Sequence, residues 1–378
     1  MPLPSEQEQK NHVDYFDYLR VVAMVSVVFM HAAAALLRGS IGLQWDLLNI
    51  CVSFAYTAVP LFVMMSGYLL LSSEKTTDIA FLLRKRLPRL FFPLAAWTVT
   101  AVLQRLPSQG ALSWESFRFG ILQSFYEPAA IHLWYMYLLI ALYVLSPFLY
   151  GAVQCLDGRG RRFAFLLIAL VTVHEVGRIL LPDNLNVFVS FDLLFRLKLY
   201  DGYLCTFLLG YLLGSMKRKI PNRVLILAAA ALWAAIAVGT HYLSVRSGMY
   251  VASYQKQGAG LEVMLAGCLF LLFKQNVKKS PEMLRTVPIL PLSLPIYLTH
   301  GILLAVFQSA GYYPGSFLGV LCLTALLFAV SYLVSKSLAT VKPLCFLFTG
   351  MPYQAACQSS NWIYTYRRIR ARLCRRKK

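Results

Sequence analysis

The sequence predicts an all-α, polytopic integral membrane protein with about ten transmembrane helices and both termini in the cytoplasm. Three observations carry that expectation. Of the 378 residues, 58% are apolar and 14% are charged, whereas soluble domains carry about 25% charged residues; the mean hydropathy is +0.61. Apolar segments of about 20 residues, the length that crosses about 30 Å of hydrocarbon, recur between short polar breaks. Lysine and arginine fall mainly in alternate breaks. Together these exclude a disordered chain, a nucleic-acid module and an ordinary cytosolic enzyme, because a soluble surface needs charge to stay dispersed.

The expected spans are 16–37, 50–71, 90–105, 132–152, 163–181, 200–215, 224–243, 259–273, 288–308 and 317–339. The first has the apolar run and small residues of a signal peptide, but Glu6, Glu8, Asp14 and Asp17 precede it against Lys10 alone, the wrong charge for one. It reads as an uncleaved span. The stretch 183–199 reads as an interfacial helix, because charges interrupt its apolar run. With the N-terminus inside, cytoplasmic segments hold 27 of the 36 Lys and Arg residues and outer segments hold 8, the last being Arg20 within the first span. That bias sets orientation and accounts for the net charge of +20 without nucleic acid. Residues 1–340 form a transmembrane domain, and 341–378 a basic cytoplasmic tail suited to anionic membrane lipids. The eight cysteines show no C-x-x-C spacing, so neither a disulfide frame nor a zinc site is expected.

An ionisable residue inside a span is costly and points to function. The first span holds Arg20 and His31. Their separation of 11 residues is about 1100° of helix, close to three full turns, with an axial offset of about 16.5 Å. Both therefore share one face, an arrangement suited to a long, thin substrate with an anionic head and a reactive far end. Snorkelling of Arg20 and a carbonyl partner for His31 are the structural alternatives. Arg84, Lys85, Arg86 and Arg89 crowd the membrane edge after the second span. They could bind phosphate through guanidinium forks or anchor the loop on the positive side.

These pieces together resemble the membrane acyltransferase-3 family: Arg20 and His31 with ten residues between them, the SGYLL segment at 66–70, and the RLPR run at 86–89 ahead of Pro93. The segments 132–147 (HLWYMYLLIALYVLSP), 207–214 (FLLGYLLG) and 293–304 (SLPIYLTHGILL) agree in order and spacing. The resemblance covers about residues 12–340 and is closest to the short, stand-alone type that includes O-acetyltransferases of enterobacterial common antigen. It implies a bacterial inner-membrane enzyme that moves an acyl group, usually acetyl from acetyl-CoA, to a hydroxyl of a glycan or lipid-linked glycan. It also implies roles. Arg86 and Arg89, with Arg84 and Arg20, would hold the phosphates of coenzyme A; Ser66 and Gly67 match a donor-site motif; His31 would act as general base or carry the acyl group. Imidazole suits a base because its ordinary pKa lies near working pH.

Other polar residues carry open readings. Glu175, beside His174, could orient a histidine or an acceptor hydroxyl, or face outer water. His300 could join the chemistry, since its segment matches the family. His132 and Trp134 read as anchors of the outer aromatic belt, as do most tyrosines. Glu262 and Asp201 near outer span ends are weaker candidates, and Gly210 and Gly214 form a small-xxx-small packing step. No metal or nucleotide motif is present, and no metal is expected. A transporter or flippase of a lipid-linked sugar is the alternative, although no internal symmetry supports it.

Overall fold

The computed structural model describes residues 13–108, 113–180, 203–255, 260–279 and 289–368. The side chains at 174–176 and 178–180 lie outside the described residues, and so does the Glu175 carboxyl; Asp201 and the expected interfacial helix 183–199 are likewise outside them.

The described residues contain helices and no strand. The longer helices are α1 (Asp14–Leu37), α2 (Leu43–Ala55), α3 (Ala58–Leu71), α4 (Pro88–Ser108), α5 (Trp114–Gln123), α6 (Trp134–Gln154), α7 (Gly158–Leu180), α8 (Tyr203–Ser215), α9 (Asn222–Ser247), α10 (Gly260–Asn276), α11 (Ser293–Ser309), α12 (Phe317–Leu338), α13 (Lys342–Thr349) and α14 (Tyr353–Ser359). Each of the ten expected spans falls on this series. Among the described residues, six segments are long and apolar enough to cross a membrane: 14–37, 43–71, 131–154, 222–247, 290–309 and 317–338. The expected spans at 90–105, 163–181, 200–215 and 259–273 fall on α4, α7, α8 and α10, which do not meet that standard. Within the described residues α8 is a shorter apolar helix, Tyr203–Ser215. The chain is an all-α, multi-pass membrane protein.

The second span is broken in its middle. Pro60, in the first turn of α3, has no N–H and its ring crowds the carbonyl four residues earlier, so α2 and α3 are separated at Tyr56 and Thr57. Backbone bonds bridge the break, with the Tyr56 amide donating to Val52 and the Leu61 amide to Thr57, each near 3.0 Å. The Thr57 hydroxyl caps the carbonyl of Phe54 at 2.7 Å. Freed carbonyls are thereby satisfied within the chain, as a membrane interior requires.

Helices α3 and α8 lie nearly in backbone contact, and glycine makes that possible. A Cβ on Gly67 would stand 1.9 Å from the Phe207 carbonyl oxygen, and one on Gly210 would stand 2.1 Å from that of Met64. A Cβ on Gly214 would strike the Tyr68 ring at 2.0 Å. The small-xxx-small step at 210 and 214 is thus a helix-packing device. Around this crossing, Phe16, Leu19, Met64, Met136, Phe207 and Phe270 form the main core.

Residues 342–368 of the expected basic tail are helical over most of their length and fold back on α4. Trp97 donates its indole N–H to the Phe348 carbonyl at 3.0 Å, and the two rings meet edge to face at 5.3 Å. Gly350 turns with φ +68° directly against the backbone of Arg89, where a Cβ would stand 2.1 Å from the carbonyl oxygen. The C-terminal segment therefore braces the RLPR run. Lys336 and Trp362 complete the junction, the ammonium lying 4.1 Å from the ring centroid.

The glycine crossing predicts unequal responses to one added methyl group. Gly210→Ala should destabilise the protein by about 1–3 kcal/mol, the usual scale of overpacking. Gly151→Ala, where a Cβ meets nothing within 4 Å, should be neutral or stabilising by up to about 1 kcal/mol. Thermal unfolding in detergent distinguishes them, and equal midpoints would contradict the described crossing.

Candidate functional site

Three histidines far apart in sequence meet inside the bundle. His31 lies on α1, His300 on α11, and His132 in the short 3-10 turn that leads into α6. His300 Nε2 stands 3.4 Å from His31 Nδ1, and the ring centroids are 5.1 Å apart. His132 and His300 have centroids 5.3 Å apart. Both of these rings are buried, whereas His31 is half-buried. The expected anchor role for His132 does not hold: its ring is 1% exposed and turned inward. Gly301 creates the room, since a Cβ there would fall 2.0 Å from His132 Nδ1.

The hydrogen bonds assign the protons, taking all three rings as neutral. His132 Nε2 faces the Leu298 carbonyl at 3.1 Å, so it carries hydrogen and donates. His300 Nδ1 faces the Tyr297 carbonyl, so it donates there and leaves Nε2 as a lone pair. That lone pair faces His31 Nδ1, which also lies 2.8 Å from the Val27 carbonyl. Two acceptors around one nitrogen require an N–H. His31 is therefore the Nδ1–H tautomer, and its Nε2 keeps a lone pair with no hydrogen bond among the described residues. That state is the one a general base needs. Each ring thus commits a nitrogen to a carbonyl, and among the described residues no group of three His, Cys, Asp or Glu side chains is suited to a metal ion.

At the other end of α1, three arginines gather round one phenol. Tyr143 on α6 lies within electrostatic reach of Arg86, Arg20 and Arg89. Arg20 also stands near Asp17, one turn back on its own helix. Arg86 is positioned by the loop. The turn Leu82–Arg86 is a π-helix, closed by the Leu87 amide on the Leu82 carbonyl at 2.9 Å, and such wide turns cluster at functional sites. From this turn Arg86 reaches inward and donates to the Thr76 hydroxyl at 2.8 Å, which in turn donates to the Leu70 carbonyl at 2.6 Å. Burial pulls the Arg86 guanidinium below its usual pKa, with Tyr143 opposing; it remains charged regardless. Arg84, Lys85 and Arg89 stay exposed.

A file of tyrosines joins the two ends. Tyr143 is electrostatically coupled to Tyr135, one of whose partners is the Ser66 hydroxyl. The Tyr135 and Tyr297 rings meet edge to face at 5.6 Å. Tyr297 then packs on His300 at 5.7 Å and on His132 at 5.9 Å, and its hydroxyl donates to the His132 carbonyl. Arg20, Ser66, Tyr143 and His31 each retain part of their accessible surface.

The structure thus brings together His31 with His300, and Arg20 with Arg86 and Arg89, and it places Ser66 between the two groups. Gly67, the partner of Ser66 in sequence, faces the other way and seats α8. Tyr135, Tyr143, Tyr297 and His132 are the members that sequence reasoning missed. In the span 132–152 the signal was present: Tyr135 and Tyr143 accompany a histidine within one apolar segment, whereas belt residues sit only at its ends.

With the geometry in hand, comparison with known proteins gives one match. Residues 13–336 fit the acyltransferase-3 family model, described as "Acyltransferase domain". No curated protein and no solved structure matches the chain.

The proton assignment is directly measurable. With 15N-labelled histidine, His31 and His300 should show the shifts of Nδ1-protonated rings and His132 those of an Nε2-protonated ring. His300→Ala should leave the first two-ring contact open and allow His31 to sample both tautomers. A wild-type His31 protonated at Nε2 would contradict the arrangement.

Proposed function

The chain belongs to the acyltransferase-3 family, and from that premise we propose that it is a membrane O-acyltransferase that moves an acetyl group from acetyl-CoA to a hydroxyl of a cell-surface glycan or its lipid-linked precursor, in the bacterial inner membrane. One observation carries the reading: His31, with its Nε2 open, is joined through His300, Tyr297, Tyr135 and Tyr143 to three arginines.

The donor lies along that file. Its phosphates bind Arg86, Arg89 and Arg20, where guanidinium groups give charge-assisted hydrogen bonds, and exposed Arg84 steers the approach. The pantetheine arm passes Ser66 and the tyrosines, and the thioester comes to rest beside His31. The axial separation of Arg20 and His31, about 16.5 Å, separates donor binding from chemistry. The acceptor enters from the opposite end of the bundle.

His31 is the catalytic base. Nε2 takes the proton of the acceptor hydroxyl as its oxygen attacks the thioester carbonyl carbon. The tetrahedral intermediate collapses, the carbon–sulfur bond breaks, and the proton passes from the imidazolium to the departing thiolate. The products are the O-acetyl ester and free CoA. His300 is a positioning residue: its lone pair holds the His31 proton on Nδ1 and so keeps Nε2 ready. The fixed geometry supplies the remaining acceleration by orientation.

Acetyl-CoA turnover by the purified full chain, with CoA binding scored in the same samples, tests this reading. His31→Ala should lower turnover by about 100-fold or more, the scale of general base catalysis, with CoA binding retained. Arg86→Ala with Arg89→Ala should raise the CoA requirement about tenfold or more, from the loss of charge-assisted bonds worth about 1.5–3 kcal/mol each. Folded wild type that neither binds nor turns over acetyl-CoA would overturn the proposal.

A further inference from the structure

A second polar nest lies at the end of the bundle opposite the arginines, and it contains a buried acid without a partner. Glu262, in the first turn of α10, is 0% exposed, and both its carboxyl oxygens lack a hydrogen bond. Its neighbours are the phenols of Tyr56 and Tyr250. Neither phenol hydrogen-bonds to it, and the proton of Tyr250 is used elsewhere. Tyr250 donates to Gln255 Oε1 at 2.7 Å. A hydroxyl has a single proton, so Tyr250 has none left for Glu262. Gln255 passes its own hydrogens to Asn49 Oδ1 at 2.8 Å and to the Ser53 hydroxyl at 2.7 Å. Asn49 donates to the Ala237 carbonyl at 2.8 Å. The chain of donors runs away from Glu262 and ends on α9.

A third unmatched oxygen lies on α9, the helix that packs against α10. Thr240 is buried and its hydroxyl has no partner. It stands one turn beyond Ala237, which accepts from Asn49, and one turn before Ser244, which accepts from the Val251 amide at 3.0 Å. The spacing places all three on one face of α9, and α9 packs against both α2 and α10. An acid and a hydroxyl buried without partners are strongly unfavourable, and such groups in a folded protein call for a ligand or water. The first turn of a helix favours negative charge but gives Glu262 no hydrogen bond. What the nest lacks is a group that brings its own donor and can also accept. An alcohol has both capacities on one oxygen.

We infer that the Glu262 carboxyl and the Thr240 hydroxyl form a hydroxyl-binding subsite for a sugar acceptor, admitted between Tyr56 and Tyr250. Both phenols are half-buried, and Arg38 stands exposed beside them. Arg38 follows His31 by seven residues, about 10 Å along α1. The outer half of α1, with Phe29, Met30 and Ala33, packs in the same cluster as Tyr56 and Tyr250. A polyhydroxylated ligand held here by one hydroxyl can present another to His31. The inference rests on the acyltransfer reading above and adds a recognition site on the acceptor side.

The test uses the full chain in permeabilised membrane vesicles that carry the cell's own glycans, with [14C]acetyl-CoA as the probe. Label in the glycan fraction is divided by label released as free acetate, and thermal unfolding is followed alongside. In Glu262→Leu the ratio should fall at least tenfold with the unfolding midpoint near that of wild type. Glu262→Gln should fall less, because an amide still accepts a hydrogen bond, and Thr240→Val should fall a few-fold. An unchanged ratio in Glu262→Leu and Thr240→Val would overturn the subsite and leave the acyltransfer reading standing. Transfer and hydrolysis falling together with the midpoint in all variants would mark a structural acid solvated by water, and would also overturn it. Wild type that releases acetate without labelling glycan would overturn the sugar assignment alone. Wild type that does neither would remove the acyltransfer reading and this inference together.

Discussion

Most polar groups withdrawn from water in this molecule find partners inside the protein, and that constraint shapes it more than any single contact. It selects the tautomers of the histidines, because carbonyls of Val27, Tyr297 and Leu298 demand N–H donors. It makes the Thr57 hydroxyl cap the break before Pro60. It also turns Arg86 inward on Thr76. In a medium without solvent to repair omissions, one satisfied carbonyl determines which nitrogen of His31 remains open, and the chemistry of the site follows from that.

Much of this fold is legible in the sequence, since apolar length and the Lys/Arg bias are one-dimensional signals. Each of the ten expected spans falls on helical structure. Arg20 and His31 are legible for the same reason: both lie on one helix, and the 3.6-residue repeat gives their common face. His300 meets His31, and His132 meets His300 and Leu298, through contacts that join residues more than 100 positions apart, and local spacing cannot express those. His132 in particular looks like an interfacial residue by position. The absence of a side chain at Gly301 is what admits its ring to the interior.

Ser66 and Gly67 show how one short motif serves two neighbours. Successive helical positions differ by about 100°, so Ser66 turns to Tyr135 on α6 while Gly67 turns to α8. Gly67 lets the backbone of α8 approach, while Ser66 partners Tyr135. A similar division occurs at Arg89, whose side chain lies near Tyr143 while its carbonyl rests on Gly350. Residues that look like pairs in sequence thus divide between chemistry and scaffolding.

The shared helix of Arg20 and His31 behaves as a ruler with coarse graduations. Adding one residue between them lengthens the span by about 1.5 Å but swings His31 through about 100°, away from His300. Only insertions or deletions of three or four residues restore the face, and they change the distance by about 5 Å at once. The reach of the interior is therefore quantised in whole turns. Finer adjustment falls to the walls, where exchanging Tyr135 or Tyr297 for a smaller side chain changes the available space without disturbing the register. Divergence among chains built on this plan should accordingly concentrate in wall volume, with the eleven-residue interval between Arg20 and His31 held constant.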